Sequence, residues 1–305
     1  MLSFIIRRLL IGVATLFVVV SLTFLMMRLM PGSPFSQERK LPPAIEKNLL
    51  ARYKLDAPLW KQYVDYILDV ARGDFRLSTK YRNRSVNEIL VQTLPVSLLL
   101  GGTAFGIALV LGISLGCFAA IRHQTWADHA AMLMAVLSIS IPNFVIAPLA
   151  ILVFALELRI FPVAGWGDLS HLALPAICLA LPFAAYVARL TRTSMLEVLS
   201  QDFIRTARAK GVNEFRVVFN HALKVALLPV VSYSGPLAAY LLTGSLVIED
   251  IFKVPGVGAF FVNGVLNRDL FMVGGTVIVY SSMLIVFNIV VDVLYTFLDR
   301  RIRLE

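Results

Sequence analysis

Cysteine is almost absent. Cys117 and Cys178 are the only two, both in apolar surroundings. They offer no disulfide framework and no metal-ligand spacing, so they read as packing residues. No G-x-x-x-x-G-K-S/T phosphate loop occurs, and this polypeptide cannot hydrolyse ATP by that route. H-E-x-x-H is missing too. The four histidines, His123, His129, His171 and His221, are scattered, which leaves a membrane metalloprotease without support. Ionisable residues within apolar runs are few. A proton-driven carrier needs carboxylates or histidines inside the membrane as relays, and only Asp292 is a candidate. The net charge of +9 does not point to nucleic acid, because no basic patch is interleaved with aromatics. No clear internal repeat is visible.

What is abundant is apolar sequence. Apolar residues make up 58% of the 305, against roughly 45–50% in a soluble domain, and the mean hydropathy is +0.80. The chain is an all-α integral membrane protein by this measure, with six apolar runs of spanning length. The first, at 9–27, follows Arg7 and Arg8. It exceeds the roughly 7–15 residues of a cleavable signal core, so it is expected to be retained, with its N-terminus in the cytoplasm. Arg28 lies near its far end, where it can snorkel to the interface. Pro31-Gly32-Ser33-Pro34 ends the run, and 31–93 form a small extracytoplasmic region with helix-compatible pieces at 45–53 and 59–71. Loops near or beyond about 60 residues escape the positive-inside rule, so its many Lys and Arg do not forbid export.

The remaining runs, with the inner loop between them, form a core at 94–298. The second span, 96–121, carries Gly102 with Gly106 and Gly112 with Gly116, small-residue pairs that let helix backbones approach in the membrane. Gly112-Ile113-Ser114-Leu115-Gly116 also fits a hydrolase nucleophile elbow, but that motif needs a strand before it and a helix after it. The third span, 130–156, contains Pro142 and Pro148 and is expected to be kinked. Lining of a translocation path and simple packing are equal readings there. The fourth covers 171–188, followed by an inner loop at 189–228. The fifth covers 227–248, bent by Pro229 and Pro236. After it, 258–265 is a candidate to dip into the membrane as a gate. The sixth covers 272–298, with Asp292 near its inner end because a mid-membrane aspartate costs roughly 2.5–3.5 kcal/mol. A basic cytoplasmic tail, 299–305, closes the chain, so both termini lie inside.

Within the inner loop, 201–211 form a short basic helix. Asp202 is placed to cap its start. Arg208 and Lys210 sit in its last turn, where positive charge suits the helix dipole. Gly211 fits the left-handed position beyond it. Phe203, Ile204 and Ala207 share one face, and Arg205 and Arg208 another. A second helix starts near Asn213, with Phe215, Val218, Phe219, Ala222 and Leu223 at i, i+3, i+4 spacing. On the residues alone, a solvated cytoplasmic loop accounts for this about as well as a docking element does.

Ile204-Arg205-Thr206-Ala207-Arg208-Ala209-Lys210-Gly211, with His221-Ala222-Leu223 and Leu228-Pro229, resembles the signature loop of ABC importer permeases, close to the dipeptide/oligopeptide branch. Arg28 to Pro34, Gly73-Asp74-Phe75, His171 to Ala176, Glu249 to Gly258, Asn267-Arg268-Asp269 and Val291 to Tyr295 are similar to the same branch, so the resemblance covers essentially the whole chain. Arg205 and Thr206 stand where the broader family has an acidic residue, and Arg76 stands where many relatives have glycine nearby. The resemblance implies a type I ABC importer permease fold with six transmembrane helices. It implies one half of a channel in the bacterial inner membrane, paired with a homologous second permease. Two ABC ATPase subunits would bind inside, using ATP and magnesium, and a periplasmic or extracellular peptide-binding protein would dock outside. This chain itself would hold no cofactor or metal and would catalyse nothing. Its coupling helix would carry Asp202, Phe203, Arg205, Thr206, Ala207, Arg208, Lys210 and Gly211. Pro142, Pro148 and Pro236 would mark kinks along the path. Oligopeptides and dipeptides are the implied cargo, although nickel and glutathione systems share this permease type. The alternatives are a stand-alone secondary carrier or channel working through Asp292 and, weakest, a hydrolase using Ser114.

Overall fold

Hydrocarbon gives backbone N–H and C=O groups no solvent partner, so apolar runs must satisfy them internally. The runs of this chain do so as helices. The structure, a computed structural model, describes residues 2–29, 56–81, 83–243 and 246–298, with side chains over 6–29, 56–81, 83–243 and 246–290. The expected piece at 45–53, the tail at 299–305 and the Asp292 side chain lie outside the described residues.

Helix α1 is Leu2–Leu29, and α2 is Leu59–Ala71, the range read from the pattern. Helix α3, Val86–Ile121, starts well before 96. Its start is a capping box at Ser85-Val86-Asn87-Glu88. The Ser85 N–H donates to Glu88 Oε2 and the Glu88 N–H to Ser85 Oγ, both at 3.1 Å.

The third apolar run is broken rather than kinked. Helix α4, Trp126–Ser140, gives way to α5, Asn143–Ala150, which continues as π-helical Ile151–Glu157, and the two directions differ by 107°. Ile141 is extended (φ −91°, ψ 121°), as the residue before a proline tends to be, and Pro142 follows in the same region (φ −61°, ψ 144°). Two successive extended residues redirect the chain, where a single helical proline would only bend it.

Helix α6, Leu169–Leu199, runs on through Arg189 and Arg192, so the first part of the expected inner loop, 189–199, is helical. Asp168 caps it, accepting from the N–H groups of Ser170 (2.9 Å) and His171 (3.3 Å). Then come α7, Asp202–Ala209, and α8, formed by Glu214–Arg216, π-helical Val217–Ala222 and Leu223–Ala226 in succession. Helices α9, Leu228–Leu242, and α10, Leu246–Ile251, belong to one apolar stretch. Helix α11, Val257–Leu266, occupies the segment proposed to dip into the membrane, and α12 is Leu270–Leu298. Among the described residues five helices are long and apolar enough to span a membrane, and the α4–α5 pair makes a sixth if its bend lies within one span.

The chain forms two compact units, Met1–Val96 with Pro255–Glu305, and Ser97–Val254. In the first, α1 packs on α12. Gly12 permits this, since a Cβ there would lie 2.8 Å from Ile285 Cγ2. Val20, Met27, Tyr66, Leu270 and Ile278 form one core, and Val86, Ile89, Leu90, Val257, Phe271 and Met272 another. A buried carboxylate ties the segment after α2 to the start of α12. Asp269 accepts from the Ser78 hydroxyl, from the N–H and hydroxyl of Thr79 (both 3.1 Å), and from the N–H groups of Lys80 and Met272 (both 3.3 Å). Arg76 takes a left-handed φ of 66°, a conformation that suits glycine, and its guanidinium pairs with Asp69 at 2.7 Å.

In the second unit α6 is central, packing on α4, α5 and α9. A Cβ on Gly112 would meet Val187 Cβ at 2.6 Å and the Ala184 carbonyl at 2.7 Å. One on Gly116 would meet Thr191 Cβ at 2.6 Å and the Ala188 carbonyl. The other expected pair does not pack this way. Gly106 faces open space, and Gly102 makes only an ordinary contact, 3.7 Å from Leu242 Cδ2. Gly101, outside the motif, lies against the Leu241 carbonyl instead. It precedes Gly112 by about three helical turns, so these two share a face that Gly102 and Gly106 do not.

Gly116→Ala is expected to lose about 1–3 kcal/mol by overpacking. Gly106→Ala is expected to be neutral or to gain roughly 0.5–1 kcal/mol, the helix penalty of glycine. Thermal unfolding of the two purified variants checks this, and equal shifts would refute the assignment.

Candidate functional site

The loop between α6 and α9 is built from a short helix whose every terminal bond is local. Gln201, extended at φ −75° and ψ 153°, is the residue before α7, so Asp202 is the first helical residue and not the cap. Its carboxylate instead faces Arg205 at 3.5 Å, and its carbonyl accepts from the Thr206 hydroxyl at 2.9 Å. At the other end Gly211 has φ 77°. The Gly211 N–H donates to the Arg208 carbonyl (2.9 Å) and the Val212 N–H to the Ala207 carbonyl (3.2 Å), the Schellman arrangement. Lys210 sits at the turn between them, with its N–H on the Thr206 carbonyl at 3.0 Å.

One face of α7 is seated. Ile204 is fully buried and Ala207 packs at the edge of the same cluster, which holds Cys117 and Ala120 of α3, Met195 and Val198 of α6, and Val217, Val218, Ala222 and Ala226 of α8. Phe203, expected on that face, is exposed. Helix α8 also differs from the expected phase. Its π turns bond i to i+5, so the buried residues recur at four and five, and Val217 goes in while Phe215 and Phe219 stay out. Their rings stack with centroids 4.5 Å apart. Phe215 also borders a shallow groove lined by Lys210, Gly211, Val212, Asn213 and Arg216. The Asn213 side chain caps α8, accepting from the Phe215 N–H at 2.9 Å.

Arg208 is not a spare cation. It makes a bidentate pair with Glu214 (2.6 and 3.1 Å) that bridges α7 and α8. The hydrogen bonds from Arg208 hold the Glu214 carboxyl below its usual range, and Arg208 is raised in turn. The pair therefore persists at neutral pH and is lost as pH falls through the lowered Glu214 value. Arg205 is left as the more available positive charge.

A second ionic clamp lies beneath the loop. Asp128, at the start of α4 and 1% exposed, accepts from Arg192 of α6 through Nε (2.6 Å) and Nη2 (2.7 Å). It also accepts from the N–H of Gln124 (3.0 Å), a residue held at φ 61°, and lies 3.3 Å from His123 Nδ1. The turn after α3, the start of α4 and the C-terminal part of α6 thus meet on one carboxylate.

The profile of binding-protein-dependent transport system inner membrane components matches residues 112–304, which include all of this loop. The chain belongs to that family. The profile of the N-terminal part of such membrane components matches residues 1–100. The permease is 47% identical over 305 residues to the oligopeptide transport system permease protein OppB of Salmonella typhimurium and to that of Escherichia coli K12. Each alignment covers 99% of this chain and 100% of the relative. To the dipeptide transport system permease protein DppB of Bacillus subtilis it is 48% identical over 292 residues, 96% of this chain and 95% of the relative. Among solved structures, inward-facing forms of the MetNI methionine ABC transporter match with a TM-score of 0.59 and 16% identity, over 70% of this chain and 97% of that one. That identity speaks to the fold alone, a type I ABC importer permease.

The other candidate residues of this permease lie outside the loop. Pro142, Pro148 and Pro236 are exposed, on the break before α5, within α5 and within α9. Ser114 lies within continuous helix in the last quarter of α3, with no strand before it, so the nucleophile elbow is not formed. Cys117 and Cys178 are buried free thiols. The Asp128–Arg192 clamp was missed in the sequence. In sequence, 64 residues separate Arg192 from its partner. No local pattern announces such a pair.

Arg192→Met leaves the buried Asp128 carboxylate without its counter-ion at a helix contact. A loss of about 3 kcal/mol is expected, the low end for breaking a buried pair, and Arg192→Lys should not be tolerated either, because an ammonium lacks the planar fork. Thermal unfolding of the purified transporter checks both, and a change under about 0.5 kcal/mol, the surface-substitution level, would contradict the clamp.

Proposed function

We propose that this permease is one half of the membrane channel of an ATP-driven importer of oligopeptides or dipeptides, and that α7 is its docking helix for an ABC ATPase. The observation that carries the reading is 47% identity, end to end, with permeases named for oligopeptide transport. A homologous second permease would complete the channel. Two ATPase subunits, which use ATP and magnesium, would sit on the cytoplasmic side, and a peptide-binding protein would deliver cargo on the other. Both termini would be cytoplasmic, with Arg7 and Arg8 on the same side as the cations of α7. No cofactor or metal is assigned to this chain.

Closure of the ATPases on ATP would draw α7 toward them. Ile204 is seated on α3 and α6, so the displacement would enter those helices instead of dissipating in a loose loop. The Schellman turn and the Arg208–Glu214 pair would keep α7 and α8 moving together, and Arg192 with Asp128 would pass the motion to α4. The break at Pro142, with Pro148 and Pro236, would border the path that opens.

Gly211→Val forces a β-branched residue to φ 77°, at a cost of about 1–2 kcal/mol. Peptide uptake by reconstituted vesicles is expected to fall several-fold while membrane insertion is unchanged, and unaltered uptake would overturn the proposal. Arg205→Glu is expected to reduce ATPase co-purification directly. Arg208→Glu should do so only by breaking the loop, so adding Glu214→Arg should restore much of it. Normal co-purification of Arg205→Glu would count against docking through α7.

A further inference from the structure

Helix α2 belongs to the region expected to be extracytoplasmic, and one face of it grips the side of a membrane span. The Tyr63 hydroxyl is 2.7 Å from Ser21 Oγ, and the Tyr63 and Tyr66 rings lie 5.3 and 5.6 Å from that of Phe24. Arg28 donates to the Gln62 side chain, and Tyr66 shares a core with Val20 and Met27. All these partners belong to the span Ile6–Leu29.

Depth follows from helix geometry. The 24 residues of that span rise about 36 Å at about 1.5 Å each, against a hydrocarbon core of about 30 Å. Ser21 lies about 12 Å before the end of the span. With the span centred, it is therefore about 9 Å below the hydrocarbon edge. A helix about 10–12 Å across that touches both Ser21 and Arg28 cannot stand clear of the bilayer.

The opposite face of α2 is apolar. Trp60, Val64 and Leu68 follow at four-residue steps and are 70%, 46% and 47% exposed, with Leu59 beside them. Lys61 and Arg72 are exposed toward the two ends of the helix, where cations suit phosphate groups. At the same depth α1 exposes Leu22, Leu25 and Met26, so apolar side chains are exposed on both helices at this level. We propose that α2 is an interfacial helix, with Trp60, Val64 and Leu68 immersed in lipid at the headgroup boundary, and that lipid, not a protein partner, covers this face. An indole and aliphatic side chains at this level are favoured, as in the aromatic belts of membrane proteins.

The test reads Trp60 by difference, as the emission and quenching lost when Trp60→Phe is added to a transporter in which Trp60 is the sole tryptophan of this chain. Of the three tryptophans, Trp126 and Trp166 are changed to Phe, and the assembled transporter is reconstituted in phosphatidylcholine–phosphatidylglycerol vesicles. Lipids brominated near the glycerol end of their chains are expected to remove about half of the emission, with aqueous iodide largely ineffective, as for an indole at the interface. Quenching by iodide but not by bromolipid would overturn the proposal in favour of a solvated helix. Quenching by neither would overturn it in favour of a covering protein. Should the tryptophan changes impair assembly, a nitroxide on Val64→Cys in the otherwise unaltered chain gives the same decision. Greater accessibility to oxygen than to a water-soluble nickel chelate is expected, and the reverse would overturn the proposal.

Discussion

The approach of α3 to α6 across Gly112 and Gly116 is the contact on which the functional loop depends. Between helices in lipid there is no hydrophobic drive, and close packing of backbones supplies the attraction. Without side chains at those two positions, α3 settles against Ala184, Val187, Ala188 and Thr191. That brings Cys117 and Ala120 beside Met195 and Val198, and the four form the floor on which Ile204 and the buried side of α8 rest. A methyl at either glycine would lift the floor.

Charge in this structure is graded by burial. Arg208 and Glu214 are both well exposed, so their pair adds about 1 kcal/mol at most to stability, and its value lies in fixing the angle between α7 and α8. Asp128 is shut away and meets three donors, so losing Arg192 is costly even though forming the pair gains little net energy. Such pairs serve best as registers that hold helices in one arrangement. Asp269 does the same for the first unit with neutral donors, joining the segment after α2 to α12.

Exposure also takes its meaning from the bilayer. Apolar side chains on α1, α4 and α5 that would be errors on a soluble surface are ordinary against lipid. On α2 the same pattern carries more information, because tertiary contacts place a short amphipathic helix at the depth of the lipid boundary.

Much of this permease was legible in its residues, because much of it is local. The bounds of α2, the left-handed Gly211 and the membrane-length runs follow from periodicity, backbone sterics and hydropathy, which act within a few residues. The capping box at Ser85 and Glu88 and the cap at Asp168 are equally local and account for the true starts of α3 and α6. Tertiary structure decided the rest. It shifted the buried phase of α8 through π turns, chose Gly101 over Gly106 as a packing glycine and joined Arg192 to Asp128. The packing choices among these depend on which surface of a distant helix a residue meets, and the packing of one backbone on another is not written in the spacing of either.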